Sequence, residues 1–245
     1  ICGERFDAHQ FVAQAEKEGA IMSVVNKSKV QENAFKAYAP VNDTTEALLK
    51  LAKGYQRRFN VKKVAITGSN GKTTTKEMVR AVLSRKYKTM ATEGNFNNHI
   101  GVPLTLLSIP FDTEIAIVEM GANHVGEIGF LCDIAMPDLA ILTNIGTAHI
   151  EGFGSRENII KTKKELFEFV KNNSNEKSHI FVNADDKALK DEDFSKKTTY
   201  SLNTKADVSA KACCENGYAQ IIYKDNLITS KLVGVYNAYN ILAAL

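Results

Sequence analysis

A short glycine-rich turn between an apolar run and a helix-forming segment constrains this chain of 245 residues more than any other feature. The apolar run ends at Thr67, and residues 68–73 read GSNGKT. Glycines in such a turn let backbone N–H groups approach an anion, and the start of the following helix attracts negative charge. Lys72 can neutralise β- and γ-phosphate oxygens, and the Thr73 hydroxyl is placed for Mg²⁺. The sequence therefore predicts a strand–loop–helix unit that binds nucleotide phosphates.

This loop departs from the usual pattern G-x-x-x-x-G-K-[ST], in which a glycine would stand at the position of Ile66. The alternative interpretation is a glycine-rich turn between a strand and a helix that carries a lone surface lysine. The predicted phosphate-binding residues are Gly68, Ser69, Asn70, Gly71, Lys72, Thr73 and Thr74.

Short β-branched runs alternate with helical periods from about residue 61, which predicts an α/β fold. We expect a mostly parallel sheet of P-loop type with helices on both faces. The predicted strands are 61–67, 87–91, 114–119, 138–143 and 179–183, and helical periods cover about 74–83 and 155–170. Residues 207–231 predict two or three antiparallel strands at one edge, and a last helix begins near Asn237. Residues 1–42 are predicted to be part of a small α/β domain, with the nucleotide-binding domain at 43–245.

Composition narrows the class of protein. The 31 basic and 28 acidic residues are scattered, so the net charge of +3 does not indicate a nucleic-acid partner. No apolar run reaches the length of a membrane span, and the N-terminus does not resemble a signal peptide, so we expect a cytoplasmic protein. The four cysteines lack C-x₂-C spacing, which argues against zinc and disulfides. The sequence looks truncated at both ends. We also expect a monomer.

The residues that follow each strand suggest a metal site, because ligands of open parallel sheets bind at the carboxyl ends of the strands. Glu119 ends the strand at 114–119 and is the first candidate for a Mg²⁺ ligand. The alternative is a carboxylate that caps the next helix. The strand at 138–143 is followed by a glycine-rich segment that carries His149, which is either a metal or phosphate contact or a structural histidine.

Lys163 stands in the middle of the apolar side of the helix predicted at 155–170. Burial lowers the pKa of a lysine, and a neutral amine can react with CO₂ to give a carbamate that could contact Mg²⁺. The alternative is a lysine whose ammonium reaches solvent past the apolar surface.

Several motifs occurring in order resemble the Mur ligases, which extend the muramoyl peptide of the bacterial cell wall. The motifs are TGSNGKT at 67–73, GNFNN at 94–98, IGVP at 100–103, EMGANH at 119–124, GEI at 126–128 and HIEGFG at 149–154. They are most similar to the branch of the family that adds D-alanyl-D-alanine. The resemblance runs from GERFD at 3–7 to NAYN at 237–240 and so covers almost the whole chain.

The resemblance implies an ATP-dependent ligase that joins D-alanyl-D-alanine to UDP-N-acetylmuramoyl-tripeptide through an acyl phosphate, in peptidoglycan synthesis. It implies ATP and two Mg²⁺ ions as cofactors and a carbamylated Lys163. Implied metal ligands are Thr73, Glu119, His149 and Lys163, and Lys72, Glu119, His149 and Lys163 are the implied catalytic residues. Asn237 and Asn240 would lie near the adenine, and Arg5, Phe6, Asp7, Asn97, Asn98 and His124 would bind the UDP-peptide.

Two departures from the family pattern leave alternatives open. The family commonly has G-R-H-N before its last helix, where this chain has Gly234-Val235-Tyr236-Asn237, and a C-terminal domain that closes over ATP is not in these 245 residues. The alternatives are another Mur-type ligase, a folylpolyglutamate-type ligase, or a nucleotide-binding module without ligase activity.

Overall fold

The computed structural model describes residues 1–3, 6–30, 37–58, 60–146 and 150–245, with the side chains of residues 2 and 3 left aside. The chain divides into two units, Ile1–Tyr55 and Gln56–Leu245. The elements of the first unit, in chain order, are β1 (Cys2–Gly3), β2 (Phe6–Asp7), α1 (Val12–Lys17), β3 (Ser23–Asn26), β4 (Tyr38–Val41) and α2 (Thr44–Gln56). The strands β1 and β2 pair antiparallel, and β3 pairs parallel with β4.

The division between the units lies later than the boundary predicted between residues 42 and 43. The helix α2, which the sequence assigned to the nucleotide-binding domain, is grouped through Tyr55 with the first unit. The functional extents of the two domains stay a prediction. Among the described residues, no helix combines the length and apolar character needed to cross a membrane.

A seven-stranded parallel sheet forms the centre of the second unit, as the alternating pattern predicted. Its strands are β5 (Lys62–Thr67), β6 (Thr89–Ala91), β7 (Ile115–Glu119), β8 (Leu139–Leu142), β9 (His179–Asn183), β10 (Lys197–Ser201) and β11 (Val208–Ser209). Their order across the sheet is β11-β10-β9-β8-β5-β7-β6.

In the described residues of the second unit, six helices accompany this sheet. They are α3 (Lys72–Leu83), α4 (Gly101–Leu107), α5 (Glu127–Ala135), α6 (Ile150–Phe153), α7 (Arg156–Asn172) and α8 (Asn237–Ala243). On one face, alternate strand residues such as Ile66 and Ile117 pack with Val79 of α3 and Ala243 of α8. The remaining strand residues are buried on the other face, where α7 contacts β5, β8 and β9 and packs against α5. Burial on both faces explains why the strands read as continuous apolar runs.

The register of the sheet brings the ends of three strands to one edge. Ile66 of β5 is paired with Glu119 of β7, and Thr67 is paired with Leu142 of β8. The loop after β5, the acid that ends β7 and the segment after β8 therefore lie side by side. This edge is the place where a doubly covered parallel sheet binds its ligands.

The antiparallel strands near the C-terminus form a separate sheet, where the sequence predicted an edge of the main one. The strands β12 (Lys211–Glu215), β13 (Tyr218–Tyr223) and β14 (Asn226–Val233) pair in the order β12-β13-β14. The preceding residues Val208–Ser209 pair parallel with β10, so they extend the main sheet. The strand β10 was not predicted.

Candidate active site

The loop between β5 and α3 has a backbone that glycine accommodates at two positions. Gly68 has φ of 147°, and a Cβ there would collide with the Thr143 side chain. Gly71 has φ of 78°, and a Cβ there would lie 2.6 Å from Oδ1 of Asn240. Side chains are disfavoured at positive φ and excluded by these contacts, so both glycines follow from the close approach of neighbouring segments.

The segment after β8 fixes the shape of this loop by hydrogen bonds. The N–H of Ser69 donates to the Asn144 carbonyl at 3.0 Å, and the N–H of Asn70 donates to Oδ1 of Asn144 at 3.1 Å. In return, Oγ1 of Thr143 donates to the Asn70 carbonyl at 2.7 Å, and the N–H of Gly146 donates to Oγ of Ser69 at 2.9 Å. The loop is therefore held in one conformation by its neighbour in the sheet.

Lys72, the first residue of α3, points back over the loop. Its Nζ donates to the carbonyls of Gly68 at 2.9 Å and Ser69 at 3.3 Å. Burial lowers the pKa of Lys72, and the negative charge of Glu119 partly offsets that effect. The ammonium therefore lies within electrostatic reach of the acid at the end of β7. Thr73 and Thr74 follow in the first turn of α3, and the Thr73 side chain is exposed.

Glu119 is 1% exposed, and its two carboxylate oxygens have different surroundings. Oε1 accepts a hydrogen bond from Nδ2 of Asn97 at 2.8 Å. Oε2 is buried and accepts no hydrogen bond from the described residues, and Nζ of Lys76 lies 3.6 Å away from it. A buried oxygen with unused lone pairs is a suitable ligand for a hard cation such as Mg²⁺. In the described part of the chain, no three His, Cys, Asp or Glu side chains group together, so a metal here would also need oxygen ligands of other kinds.

Lys163 lies on the buried face of α7, as its place in the apolar pattern predicted, and is 3% exposed. Its Nζ lies 5.6 Å from the centre of the Phe153 ring. Burial and, next, the positive charge of Lys72 lower the pKa of Lys163 to about 8, against the opposing effect of Glu127 and Glu165. The charge of Lys72 is thus influenced by Glu119 and in turn influences Lys163.

A first cleft of about 390 Å³ opens beside Lys72. The predicted substrate residues Asn97, Asn98 and His124 line it together with His99 and Phe130. The Asn98 side chain accepts from the N–H groups of residues 100 and 101 at 3.1 and 2.8 Å, and so holds the start of α4. The polar lining and the adjacent Lys72 suit an anionic, hydrogen-bonding ligand.

A second cleft of about 580 Å³ is lined by Asn70 and Gly71 of the loop. Asn237 and Asn240 line it, and Nδ2 of Asn240 donates to Oδ1 of Asn237 at 2.7 Å. Tyr236 is 70% exposed at the same cleft, and its ring covers the face of Gly234 that a Cβ would occupy. The exposed ring offers a stacking surface to a heterocyclic base, whereas the two asparagines are buried and bonded to each other, to Thr75 and to the Val233 carbonyl.

The first unit contains its own cleft of about 380 Å³, which Asp7 and His9 line. Oδ1 of Asp7 accepts from Nδ1 of His9 at 2.6 Å, and Oδ2 lies 3.2 Å from Nζ of Lys29. Phe6 is exposed and stacks on Phe11 with 5.5 Å between ring centres. The predicted residues Arg5 and His149 lie outside the described residues.

Comparisons with known proteins agree on one family. The family model for the Mur ligase middle domain matches residues 66–245. The chain is 38% identical, over 99% of its length, to UDP-N-acetylmuramoyl-tripeptide--D-alanyl-D-alanine ligase of Bacillus subtilis. This chain belongs to the Mur ligase family.

Solved structures of the same family superpose on the whole chain. A MurF crystal structure from Acinetobacter baumannii has a TM-score of 0.84 at 32% identity, and the match covers 100% of this chain and 54% of that one. The MurF ligase of Thermotoga maritima in complex with ADP has a TM-score of 0.82 at 33% identity and is matched over 57% of its length. The chain also covers 53% of the Bacillus relative, so it spans about half the length of the relatives it matches.

The structure adds two residues to the candidate site that sequence reasoning missed. Lys76 is fully buried next to Glu119, and Asp185 lines the second cleft. Burial raises the pKa of Asp185, but hydrogen bonds from Ser201, Leu202 and other neighbours outweigh burial and hold it at about 2. Asp185 could have been found, because only Ala184 separates it from the end of β9, where the rule that located Glu119 applies.

Proposed function

We propose that the full-length protein is an ATP-dependent ligase that joins D-alanyl-D-alanine to UDP-N-acetylmuramoyl-tripeptide through an acyl phosphate. The observation that carries the proposal is the loop at 68–73, which holds Lys72 beside a polar cleft, together with the buried Glu119, whose Oε2 accepts no hydrogen bond from the described residues. The names of the relatives from Bacillus subtilis and Thermotoga maritima support both the reaction class and the nucleotide.

The loop at 68–73 is proposed to hold the ATP phosphates. Its backbone and the N-terminus of α3 provide N–H donors, and the Lys72 ammonium can exchange its contacts with the loop carbonyls for phosphate oxygens. The second cleft would take the adenosine end, with Asn237 and Asn240 near the base. Tyr236 stands where the family commonly has histidine, and its exposed ring is proposed to stack on the adenine.

The first cleft is proposed to take the peptide end of the UDP-linked acceptor. Asn97, Asn98 and His124 provide hydrogen bonds along it, and Lys72 at its inner end attracts the terminal carboxylate. The cleft of the first unit, which Asp7 lines, is proposed to contribute to uridine binding. Phe6 and Arg5, of which Arg5 lies outside the described residues, are proposed to take part in the same binding. ATP and the peptide end of the acceptor would then both bring their reacting groups towards the Lys72 ammonium.

Thr73, Glu119, His149 and Lys163 are proposed to hold two Mg²⁺ ions, with Lys163 present as a carbamate. Supporting this are the unused, buried Oε2 of Glu119 and the lowered pKa of Lys163, which makes a neutral amine accessible near neutral pH. When bound, Mg²⁺ supplies positive charge that neutralises the triphosphate.

The proposed reaction has two steps. A carboxylate oxygen of the tripeptide attacks the γ-phosphorus of ATP. The bond between the γ-phosphorus and the β,γ-bridging oxygen breaks, and ADP leaves. The amine of D-alanyl-D-alanine then attacks the acyl carbon, the carbon–oxygen bond to phosphate breaks, and the amine loses a proton. The contribution of Lys72 is to orient the phosphates and stabilise the charge that develops on the transferring group.

Because ATP and UDP-linked precursors are nucleotides of the cytoplasm, we propose that the protein acts there, in peptidoglycan precursor synthesis. A monomeric state stays a prediction.

The test is phosphate release by the full-length protein with ATP, Mg²⁺ and combinations of acceptors. Release that requires both UDP-N-acetylmuramoyl-tripeptide and D-alanyl-D-alanine is expected. Parallel reactions replace D-alanyl-D-alanine by a single amino acid, or both acceptors by a folate and glutamate. A requirement for one of those combinations would instead indicate another ligase of the family, and nucleotide binding without release under any combination would indicate a binding module.

A further inference from the structure

Lys76 is a fully buried lysine that the proposed reaction leaves without a role. It lies one helical turn after Lys72 on α3, and its side chain is 0% exposed. A lysine ammonium that loses its water must be compensated by hydrogen bonds and opposite charge. The position of those partners indicates what the residue does.

The Lys76 ammonium joins three segments at the edge of the sheet. Nζ donates to the Thr92 carbonyl at 2.6 Å and to the Gly94 carbonyl at 3.4 Å, both in the segment after β6. It also lies 3.6 Å from Oε2 of Glu119 and 3.3 Å from Oε1 of Glu77. Glu77 is half exposed, whereas Glu119 is buried, so the pair with Glu119 is the less screened of the two.

The segment after β6 also positions the backbone N–H and Oε1 of Glu119. Oγ1 of Thr92 accepts from the backbone N–H of Glu119 at 3.0 Å, and Asn97 donates to Oε1 of the carboxylate at 2.8 Å. One oxygen of Glu119 is thus oriented by Asn97 and the other by Lys76. Because Lys76 also holds the carbonyls at 92 and 94, it determines where the segment that carries Asn97 lies.

We propose that Lys76 is a positioning residue for the metal-binding carboxylate, an inference that rests on the metal role of Glu119 given under the proposed function. Lys76 keeps Oε2 of Glu119 directed towards the nucleotide and keeps Asn97 against Oε1. A residue of this kind affects binding of the metal–nucleotide complex and leaves the metal-free nucleotide contacts of the 68–73 loop in place.

The experiment measures the affinity of the full-length protein for the β,γ-methylene analogue of ATP, once with EDTA and once with Mg²⁺. The ratio of the two dissociation constants is the metal enhancement. For Lys76→Met we expect the metal enhancement to fall by about 10- to 100-fold, the usual effect of removing a partner that orients a metal ligand. The affinity in EDTA should stay within about twofold of the wild type, because Lys72 and its loop are unchanged.

Two further variants separate positioning from simple stabilisation. Glu77→Gln removes the exposed ion pair of Lys76 and should leave the metal enhancement unchanged. In a Glu119→Gln background, Lys76→Met should cause little further loss, because the two residues act through the same oxygen. Lys76→Gln, which keeps a donor for the Thr92 carbonyl, serves in place of Lys76→Met if circular dichroism shows that the latter is unfolded.

The proposal is overturned if the Lys76 variants keep the wild-type metal enhancement, or if they weaken nucleotide binding equally with and without Mg²⁺. It is also overturned if Lys76→Met lowers the metal enhancement by the same factor in the Glu119→Gln background as in the wild type. A wild type without any metal enhancement would overturn the metal site and this inference together. Wild-type enhancement with unaffected Lys76 variants would overturn this inference alone and leave the proposed function in place.

Discussion

At the scale of single residues, the interactions of Lys72 lead to the first prediction. Its ammonium is tethered to the loop carbonyls and interacts electrostatically with Glu119 and Lys163. In the full-length protein, Lys72→Ala should lower the rate of ligation by about 100- to 1000-fold, the usual loss when one group that stabilises developing charge is removed. The exposed Lys86→Ala is the matched control and should leave the rate unchanged. Substantial ligation by Lys72→Ala, measured as amide product, would contradict the role.

The lowered pKa of Lys163 leads to a prediction about pH. With a pKa of about 8, the neutral amine is a minority at pH 7 and the majority at pH 9, so carbamate formation with ¹³C-labelled bicarbonate should increase over this range. The measurement is the ¹³C carbamate signal of the full-length protein, with Lys163→Ala as the blank. A signal that is equal in wild type and Lys163→Ala would show that the carbamate forms elsewhere.

The same pKa determines the sign of a stability change. The pKa of Lys163 is about 8 in the folded state, whereas in the unfolded chain it is the ordinary lysine value of 10.5. Between these values the unfolded state binds more protons, so the contribution of Lys163 to stability increases with pH in this window. The free energy of unfolding of the wild type minus that of Lys163→Met should therefore increase between pH 8 and pH 10. The measurement is denaturant titration without bicarbonate. A constant difference would contradict the burial of an ionisable amine.

At the scale of elements, the turn between β5 and α3 depends on the segment after β8 and on α8. Gly71→Ala should destabilise the fold and abolish nucleotide binding, since it combines a positive φ with a contact at 2.6 Å to the Asn240 side chain. Gly217→Ala is the control, because Gly217 has a similar φ of 84° but open space around its Cβ position. In both variants, backbone strain should lower the free energy of unfolding by about 1–2 kcal/mol. Only Gly71→Ala should also lose nucleotide affinity in a titration, and equal affinity in both would contradict the packing of this turn.

The sequence predicted the elements with strong periodicity and missed those whose signal is weak. The strands β5, β7 and β8 contain the apolar runs VAI, IAIV and LAIL, and the glycine-rich turn marks where the first of them ends. The missed strand β10 reads KTTYS, with polar residues at most positions, so its pairing beside β9 decides its conformation. The separate antiparallel sheet was read as an edge because turn signals define hairpins but not the sheet to which a hairpin belongs.

Site residues divide in the same way. Lys72, Glu119 and Lys163 could be predicted because each stands at a position that a local rule selects: a glycine-rich turn, a strand end or an apolar helix face. Lys76 could not, because its partners at 92, 94 and 119 are distant in sequence and its position on α3 carries no local signal.

At the scale of the whole molecule, the chain spans about half of its relatives, so ligation is a property to be tested on the full-length protein. The described part supplies a glycine-rich loop and a buried acid at one edge of a parallel sheet, together with two lysines whose charges interact. The central claim is that this edge transfers the γ-phosphoryl group of ATP to a carboxylate.

Oxygen-isotope transfer tests that claim most directly. The full-length protein is supplied with ATP, D-alanyl-D-alanine and UDP-N-acetylmuramoyl-tripeptide whose terminal carboxylate carries ¹⁸O. An acyl phosphate requires that one carboxylate oxygen leaves with the phosphate, so the released phosphate should contain one ¹⁸O per amide bond formed. Amide product accompanied by unlabelled phosphate would contradict the account.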